Sequence, residues 1–175
     1  MRHLVRGGTY VRVVSPDWSD PLDASFSVRS GGRWNAPGTF ATLYLCRDVE
    51  TARANARRLL EGQPFTFDDL LPERLPSLVE TTVPDARYVD AVTARGLASL
   101  DLPATYPLDA GGSVVGRERC QPIGATAWAA GEPGIACRSA APGAPPAGEE
   151  LALFDRGRRL TRGRRRRFDR WYRSN

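Results

Sequence analysis

The sequence predicts a single α+β domain, and three observations carry that prediction. The chain has 175 residues, enough for one domain with a sizeable core and too few for two full ones. Its apolar segments are short strand-like runs mixed irregularly with few helical ones, unlike the regular alternation that builds a parallel sheet. No internal repeat recurs. Hydrophobic residues make up 41%, a value typical of soluble proteins, and no run approaches the ~20 apolar residues of a membrane span. Met1 to Thr9 lack the apolar core of a secretory signal, so the expected compartment is the cytoplasm.

Taken in order, Tyr10 to Val14 sets aromatic and aliphatic residues around Arg12 in the pattern of a half-buried strand, which Trp18 to Pro21 breaks. Ser30 to Gly38, SGGRWNAPG, is dense in turn formers yet carries a large aromatic and a cation, more than a connector needs. Its glycines let backbone approach a ligand closely. Ala41 to Cys46 is a compact apolar run. Asp48 then reads as the N-cap of a helix over Thr51 to Leu60 that Gly62 ends. Residues 64–76 predict a loop with at most a short helix. Leu78 to Val83 and Arg87 to Val92 read as two strands joined by a turn at Pro84 to Ala86. Pro103 to Gly112 reads as loop and Pro122 to Ala130 as a short buried helix. Gly134 to Ser139 reads as a strand leading to an exposed serine, Ala140 to Gly148 as a linker, and Leu151 to Phe154 as the last strand.

Composition excludes much chemistry. All 25 basic residues are arginine, and the single histidine is His3. Without lysine there is no Schiff base, pyridoxal-phosphate anchor or Walker-type phosphate loop. One terminal histidine argues against a Ser-His-Asp triad and a helix-borne zinc motif. Cys46, Cys120 and Cys137 are odd in number and far apart, so they read as buried thiols and no metal site is expected.

Charge divides the chain at Asp155. Residues 156–175 carry ten arginines and one aspartate, a net +9, against −4 for residues 1–155. The expectation is a domain over 1–155 followed by a basic tail over 156–175. Arg164 to Arg167, flanked by Phe168, Trp171 and Tyr172, suit phosphate contacts and base stacking, hence nucleic acid. The competing reading is a solvated arm that touches the acidic body or a partner, because like charges favour extension.

Gly31-Gly-Arg-Trp-Asn-Ala-Pro-Gly38, Leu43-Tyr-Leu45, Glu50-Thr-Ala52, Gly134-Ile with Arg138-Ser-Ala140, and Leu151-Ala-Leu-Phe154 follow one another in an order that resembles the RES domain family. The resemblance runs from about Tyr10 to Asp155, and Gly-Gly-Arg-Trp-Asn is its most specific piece. It implies a fold related to ADP-ribosyltransferase toxins. It also implies an activity that splits the nicotinamide–ribose bond of NAD by hydrolysis or phosphorolysis, NAD being substrate, with no separate cofactor. Such proteins are typically toxins neutralised by a helix-turn-helix antitoxin, and they often pair, so a homodimer is a further expectation.

Carried onto this chain, the resemblance places Arg33 at the family arginine and Arg12 at the arginine of the first strand. Both are suited to a diphosphate through bidentate, permanently charged hydrogen bonds. Tyr44 falls at the family tyrosine, for nicotinamide stacking or a ribose hydroxyl. Ser139 falls at the family serine and, with no histidine or lysine to activate it, reads as a hydrogen-bond partner more than a nucleophile. The family glutamate is replaced by Asn55, which brings no charge to an oxocarbenium-like centre. Removing one such stabiliser costs about 10²–10³ in rate. Around the helix, neither Glu50 nor Glu61 shares the face of Asn55. Three readings follow: a weakened enzyme that still binds NAD, an enzyme using a distant acid such as Glu80 or Glu118, or a non-catalytic module that binds a protein partner or nucleic acid. Under the first, Asn55→Glu should raise turnover, and truncation after Asp155 should leave NAD chemistry untouched.

Overall fold

A computed structural model describes residues 1–157 and 159–173, so Arg158, Ser174 and Asn175 of the basic segment lie outside the described residues. In chain order the elements are β1 (His3–Val14), α1 (Phe26–Ser30), β2 (Thr42–Cys46), α2 (Val49–Arg58), β3 (Ser77–Ala91), α3 (Ala94–Ser99), α4 (Arg117–Ala129), β4 (Gly134–Arg138), β5 (Glu149–Phe154), β6 (Thr161–Arg166) and α5 (Phe168–Trp171). Single 3₁₀ turns at Phe67–Asp69 and Pro72–Arg74 interrupt the connection before β3.

The strands lie in the order β1-β2-β5-β4-β3-β6, and β1 pairs again with β3. That second pairing runs from His3 opposite Val89 to Val14 opposite Ser77 and closes five strands into a small barrel. Only β3 and β4 run parallel. Strand alternation then fixes what lies inside. Tyr10, Leu43, Leu45, Val83, Tyr88, Ala136, Leu151 and Leu153, drawn from all five closed strands, form one buried cluster. Their neighbours in sequence face outward to two helical layers. Val89, Ile135, Cys137, Ala152 and Phe154 meet Leu97 of α3, Cys120 and Ala127 of α4, and Trp34. Val11, Cys46 and Leu78 meet Ala52 and Ala56 of α2 with Phe168 and Trp171 of α5. The observed architecture is therefore the α+β domain the sequence predicts.

Three departures have physical causes. The turn expected at Pro84 is a bulge inside one continuous strand. Gly8 pairs with Val83 and Arg6 with Ala86, so Pro84 and Asp85 together oppose Gly7. On the other edge of β3, pairing with β6 ends at Thr82 and pairing with β4 begins at Val89, so no partner strand asks for the N–H that proline lacks. Second, α4 begins at Arg117 and passes through Pro122. Pro122 is its sixth residue, beyond the first four N–H groups that have no intrahelical partner, so the helix runs on without the bond that position would make to the Glu118 carbonyl. Third, Ser139 is buried at 6% exposure, whereas the strand was expected to deliver it to the surface.

The basic segment is the largest correction. Its first half forms β6, antiparallel to the N-terminal half of β3. Its second half forms α5, whose Phe168 and Trp171 are at 4% and 1% exposure in the cluster shared with α2. Truncation after Asp155 would thus remove core side chains and a strand, and the boundary at 155 divides one packed unit.

Candidate active site

Two periodicities build one cleft. Thr42, Tyr44 and Cys46 are alternate residues of β2 and face it, while Leu43 and Leu45 turn into the barrel. Asn55, Arg58 and Leu59 share one face of α2. Asp48 starts that helix as expected, accepting from the Thr51 N–H at 2.7 Å. Arg12 of β1, the loop Gly31 to Trp34, Arg117 at the start of α4 and Glu150 of β5 complete a cavity of about 300 Å³. A larger hollow of about 610 Å³ is lined by Asp20, Asp23, Leu43, Leu153, Phe154 and Arg162, but it holds none of Arg12, Arg33, Tyr44, Asn55 and Ser139. Convergence of polar groups, not size, marks the smaller cavity as the candidate site.

The glycine-rich loop is braced from beneath. The Tyr44 hydroxyl accepts from the Trp34 N–H at 3.0 Å and donates to Asn35 Oδ1 at 2.8 Å. Burial pushes this phenol well above the usual tyrosine range. Gly32 is required by that brace, since a Cβ there would fall 2.3 Å from the Tyr44 hydroxyl oxygen. Asn35, fully buried, donates to the carbonyls of Ser27 and Phe40. Trp34 is a core side chain whose Nε1 donates to Cys137 Sγ at 3.3 Å. The Tyr44 ring lines the cleft while its hydroxyl positions the loop.

Arg12 and Arg33 line the same cleft, and each also ties a loop down. Arg12 Nη1 donates to the carbonyls of Pro21 and Asp23 at 2.6 and 3.0 Å, with the guanidinium 4.9 Å over the Trp18 ring. Burial pulls this guanidinium down to about 10, against the pull of Asp23 and Asp20. Arg33 Nη1 donates to the Val115 carbonyl at 2.7 Å and lies 3.9 Å from Cys120 Sγ.

Asn55 does not face the cleft without an acid. Its Nδ2 donates to Glu150 Oε1 at 2.9 Å, and Ser139 Oγ donates to the same oxygen at 2.5 Å. Ser139 reaches the site through this carboxylate. Among the described residues no guanidinium or other cation pairs with Glu150, so its charge is held by two neutral donors at the edge of the cavity. The two distant acids, Glu80 and Glu118, lie elsewhere. Glu80 pairs with Arg166 at 3.1 Å, and the Glu118 carboxylate folds back over Gly116.

The RES domain model matches residues 9–173. The chain belongs to the RES domain family. This RES domain is similar in fold to a chain of the M. tuberculosis MbcT–MbcA toxin–antitoxin complex, with a TM-score of 0.77 at 20% identity over 98% of this chain and 92% of that one. No curated protein matches the sequence.

Within the RES domain, the structure brings Arg12, Arg33, Tyr44 and Asn55 to one cleft and Ser139 to its rear. Sequence reasoning missed Glu150, yet a signal was present. In β5 the residues Glu150, Ala152 and Phe154 alternate with Glu149, Leu151 and Leu153, so two adjacent acids at a buried strand's start must face opposite ways. The exposed arginines of β6, among them Arg162, Arg164 and Arg165, stand on the outer strand and not at the cleft. No group of three or more histidine, cysteine or acidic side chains able to hold a metal occurs among the described residues, and no helix there is long and apolar enough to cross a membrane.

Proposed function

We propose that this RES domain binds NAD in the cleft and cleaves its nicotinamide–ribose bond, with Glu150 as the carboxylate beside the reacting sugar carbon. The observation that carries this reading is the uncompensated Glu150 carboxylate, held by Asn55 and Ser139 at the edge of a cavity lined with arginine. In the reaction the bond between the nicotinamide nitrogen and ribose C1′ breaks, and its electron pair leaves on nicotinamide, which departs neutral. Positive charge develops on the ribose, and a fixed anion beside it lowers the barrier. Oxygen of water or phosphate then bonds to C1′, and any proton released passes to solvent.

In this arrangement Asn55 does not replace the acid. It fixes the acid, as an amide whose N–H has no proton to lose near neutrality. The toxin–antitoxin setting of the structural neighbour extends the proposal: this RES domain acts as a toxin whose NAD consumption a partner protein, of the helix-turn-helix type the family implies, restrains. Incubating the purified chain with NAD and measuring free nicotinamide tests the reading. Steady release is expected; absence of both nicotinamide release and NAD binding would overturn it.

A further inference from the structure

Four arginines line the cleft, and they divide into two kinds. Arg12 and Arg33 are tied to backbone carbonyls. Arg58 and Arg117, on α2 and α4, carry no hydrogen bond or ion pair among the described residues. Their neighbours are engaged: Arg57 donates to the Gly143 carbonyl, and Arg119 pairs with Asp101. Arg117 also sits where a cation is electrostatically misplaced for helix stability, in the first turn, at the positive end of the α4 dipole. Its position is not explained by the helix it belongs to.

We infer that Arg58 and Arg117 form the diphosphate clamp of this cleft, gripping the substrate from α2 and α4 while Arg12 and Arg33 serve mainly to hold the surrounding loops. The inference rests on the NAD reading above and names which side chains recognise the anionic part of the ligand. Charge supports it, because four arginines against the single Glu150 leave the lining net positive, as a dianionic diphosphate requires. Position supports it too. Arg58 lies one turn beyond Asn55 on the same face of α2, so a ligand whose ribose sits by Glu150 extends its phosphates toward it. The field of Arg58 reaches the Cys46 thiol and that of Arg117 reaches the Tyr44 phenol, both on the β2 wall of the cleft. Thr42 on the same wall has a buried hydroxyl with no partner among the described residues, a polar group the protein itself leaves unsatisfied in the cleft lining. A guanidinium offers paired donors to phosphate oxygens that a glutamine cannot reproduce.

The test compares two ligands on wild type, Arg58→Gln, Arg117→Gln and the double variant by titration calorimetry, with melting temperatures as a check on folding. ADP-ribose carries the diphosphate and no nicotinamide; nicotinamide riboside carries the reverse. The expected result is about a tenfold loss of ADP-ribose affinity in each single variant and about a hundredfold loss in the double one. Nicotinamide riboside affinity should stay within about twofold. ADP-ribose affinity unchanged in the folded double variant overturns the clamp and leaves the NAD reading standing. Wild type that binds neither ligand overturns both.

Discussion

Glu149 and Glu150 are adjacent in β5 and meet opposite fates, and the contrast shows how the barrel separates structure from chemistry. Glu149 accepts from Arg6 Nε and Nη2 at 2.6 and 2.8 Å, a bidentate pair that neutralises it. That hydrogen bond, then the attraction of the carboxylate, outweighs burial and raises the Arg6 guanidinium above its ordinary value. Glu150 accepts from an amide and a hydroxyl, both neutral, and pairs with no cation among the described residues. A carboxylate already bonded to a fixed cation has little field left for a developing one. The same side chain is therefore a tie on one face of the strand and, on the other, an anion without a cationic partner among the described residues, as the proposed reaction requires.

Four substitutions test this contrast. Glu150→Gln removes the free charge and should slow nicotinamide release by about 10²–10³ with the melting temperature little changed. Glu149→Gln should do the opposite, leaving turnover within about threefold while costing about 2–3 kcal/mol of stability, read by thermal melting, because Arg6 loses its charged partner. The pair holds Arg6 above its ordinary value, so its stabilisation is fully present well below that value and does not titrate near neutrality. The Arg6 contribution to that loss should be the same at pH 6 and pH 8. Ser139→Ala leaves Glu150 one donor and should lower turnover by about tenfold, the equivalent of one hydrogen bond of about 1–1.5 kcal/mol. The smallest effect on rate at neutral pH is expected from Asn55→Glu. Two carboxylates at hydrogen-bond distance share a proton and raise each other's pKa, so the acid limb of the pH–rate profile should move to higher pH without a gain in turnover. A sharp rise in rate would show that Glu150 is not the working acid.

What the sequence made legible followed from local rules. The run from Ser30 to Leu60 was readable because alternation in β2, the Asp48 cap and the glycines of the loop are all short-range signals. The α+β class followed from the mixture of short runs. Glu150 was not legible, because it meets Asn55 across 95 positions of chain, and helix geometry around Asn55 sees only neighbours within a few turns. The basic segment was misread for a related reason. Arginine density suggested extension, yet β3 offered β6 an unpaired edge, and Phe168 and Trp171 brought enough apolar surface to dock α5. Pro84 reads as a turn because proline breaks a paired strand, and only the register shows that no pairing is asked of it. The roles of Arg12 and Arg33 were half visible. Their place in the cleft was foreseen, and the carbonyls they hold were not.

The most direct test measures nicotinamide release from NAD under single-turnover conditions by wild type, Glu149→Gln and Glu150→Gln side by side, with binding of NAD and melting temperature recorded for each. The expected result is that the Glu149 variant melts early but reacts like wild type, and that the Glu150 variant binds and folds like wild type but scarcely reacts. Undiminished release by a folded Glu150 variant, or an equal fall in both, would contradict it.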